Sequence, residues 1–221
     1  MTSVESRSCM GTKFRSRRYG LLAVLLVITA GSCGSVPKTS YYTLRVPAPP
    51  ESKDPRTSLV LGIEHFGAPE ALRDDRIVFY ESPTRINFYQ YHRWSADPAT
   101  LLTDLAARRL DQTGVFAAVR RLPSRDPVDY VLRGSILNFE EVDDESGVRG
   151  RVAVQMSLVR SRDRKTLWSQ SRQAESAAQG KGVPGVVEAL NAASVRVLDD
   201  LLPAVVAQVE HDSQQDSKPS Q

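Results

Sequence analysis

The chain has two thiols, Cys9 and Cys33, and their neighbours give them unequal weight. Cys33 follows a basic segment (Lys13, Arg15, Arg17, Arg18), an apolar run from Leu21 to Ala30, and the small residues Gly31 and Ser32. A basic head, a short apolar middle and a small-residue end make a secretory signal sequence. The ten-residue run is too short to cross a hydrocarbon core, which takes about twenty residues of helix. Ala30-Gly31-Ser32-Cys33 has the form of a bacterial lipobox, in which the thiol receives a diacylglyceryl group, cleavage falls before the Cys and the new amino terminus is acylated. Ala30 stands where that motif usually carries Leu, so an ordinary cleaved leader followed by a chance Cys is the alternative. Several acyl chains on one residue hold a protein firmly to a bilayer, at about 0.8 kcal/mol per buried methylene. Cys9 lies inside the leader, which leaves the mature chain without a second thiol for an internal disulfide. Ser16-Arg17-Arg18-Tyr19-Gly20-Leu21-Leu22 partly matches a twin-arginine export signal, with Gly20 where a large apolar residue is expected, and Met10 is an alternative start.

Other residue types capable of chemistry are scattered. His65, His92 and His211 show no metal-ligand spacing with one another or with Cys. A His65–His92 site would require the two to meet across paired strands. Glu140, Glu141, Asp143, Asp144 and Glu145 form an acidic cluster without the alternate-position spacing of a calcium loop, and read as a solvated hairpin turn. There is no nucleophile elbow, phosphate-cradling loop or dinucleotide fingerprint. The sequence calls for no cofactor, no metal and no catalytic residue; the expectation is a protein that is not an enzyme.

The formal charge of +3 belongs largely to the leader, where residues 1–32 carry five basic residues and one acid. The mature part holds 24 basic and 25 acidic residues, a net of −1, which gives no electrostatic footprint for nucleic acid. Four regions follow: a lipoprotein signal peptide at 1–32, a lipidated Cys with a proline-rich tether and one short strand at 33–57, a domain at 58–209, and a disordered tail at 210–221 that lacks aliphatic residues.

Periodicity supplies the elements that must position any site. Tyr41–Val46 reads as a short strand, and Leu59, Leu61 and Ile63 alternate in a second. Arg76–Glu81 and Arg85–Trp94 flank Ser82-Pro83-Thr84 as a hairpin. Asp97-Pro98 opens a helix with Leu101, Leu102, Leu105 and Leu110 on one face, closed by Gly114. Strands are expected near Val115–Val119, over Val128–Val142 and Arg149–Arg160, and over Lys165–Glu175. A long helical period from Gly185 meets Pro203, which should kink or split it. The order predicts a single α+β domain, a largely antiparallel mixed sheet with two main helices packed on one face.

The hairpin is rich in aromatics, with Phe79, Tyr80, Phe88, Tyr89, Tyr91 and Trp94. Alternation puts Phe88 and Trp94 on one side and Tyr89 and Tyr91 on the other; if the first pair packs on the core, the tyrosines face outward, and Tyr80, Tyr89 and Tyr91 form a candidate partner interface. Cross-strand aromatic pairing within the sheet is the competing reading.

A lipobox followed within ten residues by Tyr41-Tyr42-Thr43-Leu44 resembles the ABC-type transport auxiliary lipoproteins. The hairpin ending in Tyr91-His92-Arg93-Trp94, the helix after it, the strand Asp129-Tyr130-Val131-Leu132-Arg133-Gly134 and a Trp168-bearing strand follow in that family's order. The resemblance implies a non-enzymatic envelope lipoprotein of a Gram-negative-type bacterium. Its partners would be the membrane, through the lipid on Cys33, and MCE-type or permease subunits of an ABC transporter for lipids or hydrophobic solutes, with self-association as a further implication. Gly34 follows the Cys where inner-membrane retention usually shows Asp, so similarity to sorted lipoproteins points to the outer membrane, facing the periplasm. A stand-alone lipid-binding or outer-membrane assembly lipoprotein is the alternative; it would need an apolar pocket of several hundred Å³.

Overall fold

The computed structural model describes residues 37–45, 55–82, 84–145, 147–180 and 182–216. Cys33, the leader and most of the proline-rich tether lie outside the described residues. The chain divides into two units, 1–38 and 39–221, and all secondary structure described here belongs to the second.

The strands are β1 (Ser40–Tyr42), β2 (Val60–Ile63), β3 (Arg76–Ser82), β4 (Arg85–Trp94), β5 (Ala118–Arg121), β6 (Tyr130–Asp144), β7 (Gly147–Arg160) and β8 (Thr166–Ala177). The helices are α1 (Pro98–Gln112) and α2 (Val183–Asp216). Among the described residues the strands form one mixed sheet in the order β1-β4-β3-β6-β2-β5, with β7 and β8 added beyond β6. Antiparallel pairing joins β3–β4, β6–β7 and β7–β8; shorter parallel pairings join β1–β4, β2–β5, β2–β6 and β3–β6. The α+β architecture expected from the sequence is the one observed.

Alternation along β7 buries Val152, Val154, Met156 and Leu158 completely, facing α2, which crosses β7 and β8. From α2 the residues Leu190, Ala193, Val197, Leu198, Leu201, Val205 and Val209 are equally buried. Each large aliphatic side chain so placed contributes about 1.5–3 kcal/mol. Gly150 permits the contact: a Cβ there would sit 2.5 Å from the backbone nitrogen of Leu190. On β6, a Cβ at Gly134 would overlap the ring of Phe66. Helix α1 begins as its sequence predicts, with the Asp97 carboxylate accepting from the Thr100 backbone N–H at 2.9 Å. Its Asp104 pairs with Arg121 of β5.

Two expectations about α2 change. Pro203 does not split the helix, which runs unbroken through it. Asp199, whose carbonyl loses its helical donor to Pro203, is exposed, as is Pro203 itself, so water can satisfy that carbonyl. The helix also continues to Asp216, through seven residues expected to be loose tail. The cause is polar. Asp212 is 4% exposed, accepts from Tyr130 Oη at 3.0 Å and pairs with Arg160 Nη1 at 2.8 Å. Arg162 pairs with Asp216 at 2.5 Å. A tail without aliphatic residues is thus held by charge-assisted hydrogen bonds to β6 and β7.

Asp212→Ala should lower the unfolding free energy by about 1–3 kcal/mol, since the buried Tyr130 hydroxyl loses its acceptor while Arg160 keeps its pair with Asp163. Urea denaturation followed by circular dichroism measures this. A change within about 0.5 kcal/mol, as expected of an ordinary surface site, would mean that the C-terminal turns of α2 are not held.

Candidate interaction surface

The β3–β4 hairpin carries the sequence-predicted interface, and its register decides which tyrosines it offers. Val78, Phe79 and Tyr80 pair with Phe88, Asn87 and Ile86, whereas Arg76 pairs with Arg93. Four residues of β4, Tyr89 to His92, therefore oppose the single residue Ile77 of β3. Such a bulge bends the strand and interrupts alternation. Trp94 still enters the core, 1% exposed, with its ring 5.3 Å from that of Phe139. Phe88 packs against the core as a half-buried side chain, with the Arg76 guanidinium 3.8 Å over its ring.

Tyr89 turns inward. Its ring lies 4.8 Å from Phe79, the cross-strand aromatic pairing given as the competing reading. Its hydroxyl donates to Glu141 Oε2 at 2.6 Å. Three residues on, His92 meets the Tyr89 ring edge at 6.0 Å and stacks on Tyr42, whose hydroxyl is 2.8 Å from His92 Nδ1. The hairpin is thereby tied to β1 on one side and to β6 on the other. Tyr80 remains 36% exposed and Tyr91 half-buried. Tyr80 borders a cavity of about 460 Å³ with Glu81, Glu140, Val142, Asp143 and Arg151.

The acidic cluster is not a solvated turn throughout. Glu140 and Glu141 lie within β6 and are 6% and 8% exposed. Burial pushes both carboxyls above the usual carboxylate range; Glu141 is pulled back in part by the Tyr89 hydroxyl, and Glu140 by Asn138 and Arg151. Burial and the bond to Glu141 in turn raise the Tyr89 hydroxyl. Across the solvent-facing side of the sheet the acids and arginines interleave. Arg149 grips Asp144 with both terminal nitrogens, at 2.9 and 2.6 Å, and its Nε donates to Glu175 at 2.9 Å. Arg151 Nε donates to Glu175 at 2.6 Å and faces Glu140 across β6–β7. The two arginines hold the Glu175 carboxyl below its ordinary range. Sequence reasoning missed this ladder because its signal is a register, not a spacing along one strand.

The histidines stay apart. His65 Nε2 lies 3.1 Å from Thr100 Oγ1, and β2 and β4 are separated by β3 and β6 in the strand order, so no paired strands bring His65 and His92 together. Among the described residues no group of His, Cys, Asp and Glu is arranged to hold a metal ion, and no helix is long and apolar enough to cross a membrane. A cleft of about 990 Å³ lies at the C-terminal end of α2 and is walled by Arg56, Asp129, Arg160, Arg162 and Asp216 as well as by Leu59 and Tyr130.

A family model for the ABC-type transport auxiliary lipoprotein component matches residues 42–201. Among solved structures, protein XCC0632 from Xanthomonas campestris superposes with a TM-score of 0.70 at 21% identity, covering 79% of this chain and 99% of that one. A structure described as an uncharacterized protein superposes with a TM-score of 0.60 at 14% identity, over 76% and 99% of the two chains. At these identities the likeness is one of fold. No functionally curated protein shows significant similarity to the chain.

Tyr89→Phe should destabilise the domain by about 1–3 kcal/mol, because a buried carboxylate loses its hydrogen-bond donor. Tyr80→Ser should leave the melting temperature nearly unchanged. Thermal unfolding of the two variants separates the internal tyrosine from the exposed one; equal, negligible shifts would contradict this assignment.

Proposed function

This chain belongs to the ABC-type transport auxiliary lipoprotein component family, and on that premise we propose that it is the lipid-anchored accessory subunit of an envelope ABC transport system. The observation that carries the proposal is the position of the family match. It takes in most of the domain and starts at Tyr42, nine residues after the lipobox cysteine Cys33. The acyl chains on Cys33 hold the domain to one membrane. The Gly at position 34 favours the outer membrane, with the domain in the periplasm. The family is one of transport auxiliaries, so the work assigned to this chain is positioning by protein–protein contact rather than catalysis.

The partner is proposed to be an MCE-type or permease subunit of a system that moves lipids or other hydrophobic solutes. The surface offered to it is the β3–β4 hairpin, where Tyr80 is exposed and Tyr91 half-buried. Tyr89, with its hydroxyl bonded to Glu141, stiffens the hairpin from beneath. Aromatic side chains on a rigid support lose little conformational freedom on docking.

Purification of the native lipoprotein from solubilised membranes tests this reading. Recovery of permease or MCE-type subunits is expected, and Tyr80→Ser should reduce it without lowering the melting temperature. Bound lipid in the absence of any transporter subunit would overturn the proposal in favour of a stand-alone lipid-binding lipoprotein.

A further inference from the structure

Tyr41 is the most exposed of the large apolar side chains among the described residues, at 65%. It sits on β1, an edge strand that pairs with β4 alone among the described residues. The support beneath it is fixed: Leu44 is 3% exposed, Tyr42 stacks on His92, and the Arg45 backbone N–H donates to Asn191 Oδ1 of α2 at 2.8 Å. Between β1 and the first turns of α2 lies a cavity of about 400 Å³, bounded by Tyr41, Thr43, Arg45, Val187, Glu188 and Asn191. Arg45 and Glu188 are both exposed, and neither has an ion-pair partner among the described residues. One cation, one anion and one aromatic ring thus border the same recess without being used by the fold.

That combination matches a zwitterionic phospholipid headgroup. A guanidinium binds phosphate oxygens through charge-assisted hydrogen bonds, while a carboxylate and a tyrosine ring attract an ammonium group. Tyrosine is also a residue of membrane–water interfaces, where its ring and hydroxyl meet different media. Covalent length adds a constraint, which rests on the proposed lipidation of Cys33. Six residues, 34–39, separate that Cys from Ser40, so the first strand starts at most about 25 Å from the anchored residue. We infer that the β1 edge is a membrane-contact face, and that the recess between Tyr41, Arg45 and Glu188 takes a phosphoethanolamine headgroup of the bilayer in which the chain is anchored.

The test uses the full lipidated protein in vesicles of phosphatidylethanolamine with a minor share of phosphatidylglycerol, doped with a headgroup-nitroxide lipid. A fluorophore is placed at Ser40→Cys, and at Arg125→Cys, beyond the opposite end of the strand order, as a control. Strong quenching at 40 and weak quenching at 125 is expected. Tyr41→Ser with Arg45→Glu should cut the quenching at 40 severalfold while the protein still floats with the vesicles. Equal quenching at both positions, or quenching at 40 that ignores the double substitution, would show mere tethering and overturn the inference. Loss of flotation in the unsubstituted protein would instead refute the anchored reading itself, and this inference with it.

Discussion

The passage of α2 across β7 and β8 is the constraint on which the rest depends. It requires a helix backbone within contact distance of Gly150, where any side chain would collide with Leu190. It also requires one apolar stripe along the helix, from Val186 to Val209, to meet the alternate residues Val152 to Leu158 of β7. With that layer closed, the opposite face of β6, β7 and β8 is free to be polar, and there Arg149 and Arg151 interleave with Asp144, Glu140 and Glu175. The far end of the helix is fixed by different physics. Asp212 is buried against Arg160 and Tyr130, and Arg160 also holds the exposed Asp163 carboxyl down to about 2.

β6 transmits this order to the hairpin. It pairs along its whole length with β7, while its other edge meets β2 near Tyr130 and β3 at Glu141. At that second meeting Glu141 receives the Tyr89 hydroxyl. The bulge in β4 therefore has a structural use: it turns Tyr89 toward β6 and His92 toward Tyr42 of β1. The exposed remainder of the hairpin, Tyr80 and Ile86 included, is carried on strands bonded on both sides.

Much of this was legible in the residues. Alternation in β7, the Asp97-Pro98 start of α1 and the aliphatic period of α2 each reflect one face buried against one layer, which is what periodicity records. The failures share a cause. Strict alternation gives Tyr89 an outward face, and a bulge leaves no mark in the spacing of apolar residues. The residues after 209 have no aliphatic side chain, so a hydrophobic criterion makes them tail, whereas Asp212 is held by an arginine 52 positions away. Spacing alone groups Glu140 and Glu141 with a solvated turn, because their partners, Arg151 and Tyr89, reach them from other strands.

The proposed lipid on Cys33 is what would fix the domain to a membrane. Intact-mass and fragmentation analysis of the protein isolated from native membranes tests it most directly. The account predicts a mature chain that begins at Cys33, with a diacylglyceryl group on the sulfur and an acyl group on the new amino terminus. A chain that begins at another residue, or an unmodified Cys33, would contradict it.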